Sequence, residues 1–493
     1  MKRFKTFILI AVLGFTAYSC DSFLDVNTDP NAATEVSPDV LFPPVLANVS
    51  ANRAIETMPG TAFFVNAWAP NYATGLHGAD RYVISPFGTG NTWTSWYGSG
   101  LRNLNLMVQF AEDSEPLRPN VAAQAKIMKA YLFFSLTMMW ETVPFTEALD
   151  SDEFPNPEFD DQETVLYGVI DMLDEALEQI APGEPAVEFG DLMYGGDMGQ
   201  WEKFANSLKL RTYMYLRNQH DVDDEILDLL QNAELIRSND DMAYIPFFDS
   251  EDNAHNLWKV HNQFSGFIGT GNGGFFVSAG KTLVDKMNDL EDPRRNTYFA
   301  FMPQDDGSFL PEDFTGQVAG RFGSEGDVNY ISQNIITREW PNRVLTPSEV
   351  LFYEAEFYAT RGEFGAAHDA YIAGVQASLD FLDPWTVRDP REGTLNGIPD
   401  ADKQAYIDNL PSSFSNEESA LEAIWTQHYI EIFDRSPENW SEWRRTKFPS
   451  LTVAEQATLG DIIRRYPFPP SELQSNPNIP PEPVLDTPMW FEN

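Results

Sequence analysis

The chain has 493 residues, 43% hydrophobic and 13% aromatic, which is ample for a packed core and too apolar for wholesale disorder. Thirty-two basic residues against 75 acidic ones leave a formal net charge of −43. That balance excludes a nucleic-acid partner, because phosphate binding rests on Lys and Arg, and as a bulk property it serves solubility.

The N-terminus, MKRFKTFILIAVLGFTAYSC, has a basic start (Lys2, Arg3, Lys5), an apolar stretch from Phe7 to Phe15 and a small-residue approach to Cys20. These are the parts of an export signal. The apolar run is too short to remain as a membrane span, and no later segment offers about 18 uninterrupted apolar residues. Cys20 is the only cysteine and stands where a bacterial lipoprotein signal peptidase needs one; Ser19 fits the lipobox, while Ala17 and Tyr18 depart from it. Residues 1–19 are therefore expected to be a lipoprotein signal peptide and Cys20 the lipidated residue. Acylation anchors a protein without making it integral to the membrane, and it removes the one thiol, so cysteine catalysis and thiolate metal ligation drop out. Residues 20–40, rich in Asp, Asn, Ser, Thr and Pro, read as an extended leader, and residues 41–493 as a single domain.

Beyond the leader, Ile127, Tyr131, Phe134 and Met138 recur at helical spacing and predict a core helix over 121–140. The same period marks 163–180 and 201–217. In LFYEAEFYATRGEFGAAHDAYIAGV (351–375), Ala355, Tyr358, Gly362, Phe364, Ala367 and Tyr371 fall at the offsets of a tetratricopeptide helix pair. No such period runs through the whole chain. Tracts 59–100, 240–282, 301–343, 383–416 and 466–493, dense in Gly, Pro, Asn and Trp, read as long aromatic loops over a mostly α domain.

Several segments, in order, resemble the SusD/RagB family of outer-membrane nutrient-binding lipoproteins from Bacteroidota, in its starch-binding-associated branch. They are SCDSFLDVNTDPN after the signal, YLFFSLTMMWETVPFTEAL, FANSLKLR, DPRRNTYF, TPSEVLFYEAEFYATRG, ENWSEWRRTKFPS and IIRRYPFPPSELQSNPN. The resemblance implies a SusD-like fold of irregular tetratricopeptide-like helix pairs with long aromatic loop regions. It also implies a surface-exposed, lipid-anchored outer-membrane subunit that binds oligosaccharide or polysaccharide and passes it to a SusC-like TonB-dependent transporter, with no catalysis.

GTGNGGFFVSAGKT (269–282) superficially combines two nucleotide signatures. A P-loop needs four residues between its first glycine and Gly-Lys, whereas five separate Gly274 from Gly280, and no βαβ alternation surrounds the glycines for a Rossmann turn. The stretch reads instead as a loop feeding a helix capped by Ser278, with Phe275 and Phe276 at its exit as either core or ligand-facing residues. Sugar binding calls for aromatic faces and hydrogen-bonding side chains. Both occur in 63–82, with Trp68, Tyr72, His77 and Tyr82, and in 252–264, with Trp258; Trp385 is a further loop candidate. Trp96, Trp440 and Trp443 are assigned to packing.

No cofactor is expected. The six histidines form no H-x-x-x-H pair, and Asp305-Asp306-Gly307 and Asp400-Ala401-Asp402 lack the ligand series of a calcium loop, so no metal site is assigned and structural calcium has no support. No G-x-S-x-G element offers a serine nucleophile. The charge favours a neutral glycan, with a laminarin-like β-glucan as the expected class. The alternatives are a surface glycoside hydrolase, whose carboxylate pair sequence cannot place, and a binder of a non-sugar nutrient such as peptide.

Overall fold

The structure, a computed structural model, describes residues 37–54, 58–70, 78–265, 277–300, 314–321, 328–332, 334–389 and 393–492. Helix α1 (Pro38–Asn52) opens on a proline, whose missing N–H is no loss in a first helical turn. The last residues of the expected leader, 38–40, are therefore helical.

The tract expected as loop from 59 to 100 is largely helical. It holds α2 (Met58–Phe64), α3 (Pro86–Ser95) and a π-helical turn, Trp96–Leu101, that runs into α4 (Arg102–Asp113). Two of its glycines serve close approach. A Cβ on Gly100 would lie 3.0 Å from the Leu132 side chain, and one on Gly90 3.2 Å from Pro469. Trp96 is fully buried, as the spacing predicts.

Helices α5 (Pro119–Trp140), α6 (Gln162–Gln179) and α7 (Met198–Leu216) stand where the hydrophobic period puts them. Ile127, Tyr131, Phe134 and Met138 of α5 are all buried. The Asp161 and Asp197 side chains cap α6 and α7 by accepting backbone N–H groups. After α8 (Asp223–Asn232), α9 (Asn256–Ser265), α10 (Lys281–Asp289) and the short α11 (Arg295–Tyr298), the tetratricopeptide offsets resolve into α12 (Pro347–Thr360) and α13 (Phe364–Asp380). Gly362 turns between them at φ +75°, and a Cβ on Gly374 would lie 2.7 Å from the Phe352 ring, so the small residues set the approach of the pair. The chain closes with α14 (Asp400–Asn409), α15 (Glu417–Glu431), α16 (Glu438–Thr446) and α17 (Pro470–Ser475).

Short strands complete the body. β1 (Trp68–Pro70), β3 (Val277–Ala279), β4 (Phe299–Ala300) and β5 (Tyr330–Ile331) form an antiparallel sheet in the order β1-β3-β5-β4, while β2 (Ala243–Ile245) pairs with β6 (Asn342–Leu345). A hairpin, β7 (Thr386–Asp389) and β8 (Gly393–Asn396), lies in the tract expected as loop from 383. Ser278 is a buried strand residue and not a helix cap; the N-cap of α10 is Gly280. The backbone of Gly280 bonds to the Ala67 carbonyl at 2.9 Å, and a Cβ there would fall 2.1 Å from the Asn66 oxygen. That glycine serves sheet packing, which accounts for half of the apparent Gly-Lys signature.

A sealed lattice of charge joins the two ends of the chain. Arg53, just past α1, meets Glu438 of α16 at 2.9 Å; Arg211 of α7 grips Glu349 of α12 with two bonds of 2.6 and 2.9 Å. Arg343 of β6 pairs with Glu431 at 2.8 Å and with Asp434, and Arg435 pairs with Glu431 at 3.1 Å and with Glu349. Four guanidiniums thus face four carboxylates, all buried or nearly so. A second group joins Arg445 to Glu356 at 2.6 Å and to Glu442 at 2.8 Å, with the Tyr353 hydroxyl donating to Glu442 at 2.6 Å. Among the described residues ten basic and ten acidic side chains are buried, so the interior is neutral. Trp440 and Trp443 are buried as expected, with the Arg444 guanidinium 3.9 Å from the Trp440 ring centre.

Burial by itself would raise the Glu349 carboxyl, but the Arg211 and Arg435 guanidiniums outweigh it and hold that carboxyl far below the usual range. A carboxyl depressed on folding stabilises above its unfolded pKa, near 4.3, and that contribution fades as the pH falls below it. Glu349→Gln strands two buried cations, and we expect a loss of about 3–5 kcal/mol in urea unfolding at neutral pH. The gap between wild type and variant should narrow as the pH drops below about 4; a constant gap would contradict the assignment.

Candidate functional site

Two of the aromatic residues singled out in the sequence are core residues. Trp68 is fully buried, its ring 6.3 Å from that of Phe433, because β1, although an edge strand of the sheet, is covered along its whole length, with Trp68 opposite Ala279. Tyr82 packs beside Phe64, its hydroxyl accepts the Ala454 N–H at 3.3 Å, and burial pushes its pKa up to about 12. Neither offers a ring face to solvent. Tyr72, His77, Phe275, Phe276 and Cys20 lie outside the described residues. Pro70 and Val277, both described, are register partners.

Trp258 and Trp385 are only partly buried. Trp258 sits in the first turn of α9, whose start is tied down by the His255 N–H donating to the Arg338 carbonyl at 2.8 Å. That bond brings Arg338 over the indole, its guanidinium carbon 4.5 Å from the ring centre. The same guanidinium pairs with Asp249 at 2.9 Å, and both charged side chains are exposed, Asp249 at 68%. Phe248, next to Asp249, is itself 48% exposed. An aromatic face, a fork of N–H donors and a carboxylate acceptor therefore share one shelf of surface, a combination suited to a polyhydroxylated ring.

Trp385 follows α13 and leans on Trp340, with ring centres 4.8 Å apart. Trp340 is held by its N–H donating to Asp434 at 2.7 Å, and by Phe381, 5.4 Å away edge-on. Trp340 and His255 also border a small cavity, with about 20 Å³ of room for a water-sized group, shared with Arg343 and Asp434 of the charge lattice, Ser436 and Trp68. His255 is neutral there, since burial takes its pKa down to about 3.

Arg338, Asp249, Phe248 and Trp340 were not apparent as site residues from sequence. A period search sees only the backbone type of TREWPNR and FFDSED, and the pairing of residues 89 positions apart leaves no local trace. Among the described residues no group of three or more His, Cys, Asp or Glu could hold a metal ion, and no helix is long and apolar enough to cross a membrane.

The family of SusD-like proteins described as starch-binding and associating with the outer membrane matches residues 30–469. Among solved structures, a chitin-binding protein is 25% identical with a TM-score of 0.73, over 90% of this chain and 95% of its own. A SusD homologue from Bacteroides fragilis is 20% identical with a TM-score of 0.73, over 93% and 99%. A chitin-binding SusD homologue from Flavobacterium johnsoniae is 20% identical with a TM-score of 0.71, over 92% and 99%. No curated protein sequence matches. The mostly helical SusD-like fold expected from the sequence is the fold observed.

The contrast between the two tryptophans is measurable. Trp68→Ala should cost about 3–5 kcal/mol in chemical denaturation through cavity formation, whereas Trp258→Ala should cost under about 1.5 kcal/mol. Equal losses would mean that Trp258 is part of the core.

Proposed function

We propose that this chain, which belongs to the SusD-like family of starch-binding proteins associating with the outer membrane, captures a neutral glycan and performs no chemistry on it. The observation that carries this reading is the Trp258–Arg338–Asp249 shelf. A pyranose ring lays its C–H face on the Trp258 indole by displacing the Arg338 guanidinium that stacks there, and its hydroxyls then meet that guanidinium and the Asp249 carboxylate. An ion pair this exposed contributes about 0–1 kcal/mol to the fold, so reorganising it around a sugar costs little. Trp385, beside Trp340, extends the aromatic surface, and Tyr72, His77, Phe275 and Phe276 belong to the same proposal.

Net charge narrows the ligand. A uronic or sulfated polymer would approach a body carrying −43, which slows encounter and weakens binding at low salt. Chitin, named for two of the similar structures, is uncharged and fits that constraint, as does a laminarin-like β-glucan. In the cell the reading is of a lipoprotein anchored through Cys20 at the outer surface, handing its glycan to a SusC-like TonB-dependent transporter.

Isothermal titration against laminarin, chito-oligosaccharides, alginate and pectin tests this reading. We expect binding to a neutral member, a loss of about five- to thirtyfold in Trp258→Ala from removal of one stacking face, and a smaller loss in Phe275→Ala/Phe276→Ala. No new reducing ends should appear on incubation. Binding confined to alginate or pectin would refute the charge argument, and turnover would refute capture without chemistry.

A further inference from the structure

Phe189 is 93% exposed, the most exposed large hydrophobic side chain among the described residues. Its backbone is nevertheless fixed on both sides. Before it, the Gln124 amide of α5 clasps Val187, accepting its N–H at 2.8 Å and donating to its carbonyl at 3.1 Å. After it, the buried Asp191 carboxylate accepts the N–H groups of Met193 and Gly196, each at 2.9 Å, and the Trp201 indole N–H at 2.7 Å. An apolar ring held in water on so constrained a backbone has already lost the ordering entropy that a contact would cost it.

The surface beside it is apolar too. Gly190 lies against the first turn of α1, where a Cβ would fall 2.7 Å from the Asp39 carbonyl oxygen and 3.1 Å from Pro43. Bordering that edge, Val40, Pro44 and Ala47 recur at i, i+4 and i+7 and form the exposed face of α1, with Val40 64% exposed. None of them carries a charge, in a chain of net −43, and the charged residues next to Val40 and Phe189 in the chain are the acidic Asp39 and Glu188.

Charge and tethering decide what covers this face. A second copy would bring two acidic bodies together across the same Asp39 and Glu188. A lipid surface is held by apolar groups flanked by Lys or Arg, and neither flanks these residues in the chain. An aromatic anchor within a charged rim is the make-up of a protein interface. The lipoprotein reading adds its location, since only the 17 residues from Cys20 to Val36, at most about 60 Å of chain, separate the anchor from Ser37 and α1. Such confinement raises the effective concentration of a protein in the same membrane, so that a small contact suffices.

The geometry points to Phe189 and the exposed face of α1 as the docking surface for a membrane-embedded protein, one that offers an apolar socket to the ring and basic groups to Asp39 and Glu188. The inference rests on the outer-membrane lipoprotein reading, in which the transporter is a protein of that kind. It also separates docking from capture. Arg53, which borders the small cavity with His255 and Trp340, lies just past the other end of α1, about 22 Å along the helix from Pro38.

The full chain in its own outer membrane provides the test. Phe189→p-benzoylphenylalanine, irradiated in whole cells, should give an adduct that mass spectrometry identifies as a β-barrel transporter. Phe189→Ser should lower co-purification of that barrel about tenfold or more, while thermal unfolding and glycan titration keep their wild-type values, because the ring supports neither the core nor the shelf. In a chain that fractionates with the outer membrane, adducts with lipid or with a second copy, no adduct at all, or undiminished co-purification in Phe189→Ser would overturn the docking surface and leave glycan capture standing. A wild-type chain that does not fractionate with the outer membrane would overturn the lipoprotein reading and the docking surface together.

Discussion

Four arginines and four carboxylates removed from water can exist only as a complete set. Each ion alone would cost several kcal/mol to bury, and the set becomes tolerable only because every charge has a partner in good geometry. The constraint is long-range: Arg53 and Glu438 are 385 residues apart in the chain. Satisfying it forces the end of α1, the middle of α7, β6, the start of α12 and the junction of α15 with α16 into one place. The helix pairs supply bulk and the lattice supplies registration, which is why the segment ENWSEWRR is buried almost throughout despite its charge.

The candidate site takes its position from the same frame. Asp434 closes one corner of the lattice and at the same time holds the Trp340 indole, while Arg343 lies 4.6 Å over the Phe381 ring. From Trp340 the order passes outward to Trp385, and from the Arg338 carbonyl to His255 and Trp258. A shelf at the surface is thereby mounted on fixed supports, so that little ordering entropy is left to be lost when a ligand arrives. The shelf's own ion pair, between exposed groups, is free to exchange partners in a way that the buried ones are not.

The sequence was most legible where one local rule decided the outcome. Ile127, Tyr131, Phe134 and Met138 lie on one stripe, and the stripe is buried; Gly362 stands between two helical patterns, and the chain turns there. Legibility failed where a distant residue decided. Gly90 and Gly100 look like loop residues, yet each sits in helix or π-turn because Pro469 and Leu132 need the space. Ser278 has the right spacing for a cap, but pairing with Ala69 and Tyr330 makes it a strand residue. Trp68 and Trp258 look equivalent in composition; the first lies in a three-residue strand buried along its whole length, and strands that short carry no alternation to read.

The neutral interior has a consequence beyond stability. Among the described residues ten buried bases cancel ten buried acids, so burial there takes none of the formal −43 away. Copies brought together at high density therefore push one another apart over roughly 8 Å at physiological salt, and divalent counterions in the surrounding fluid, more than contacts between the proteins, set how closely they can crowd.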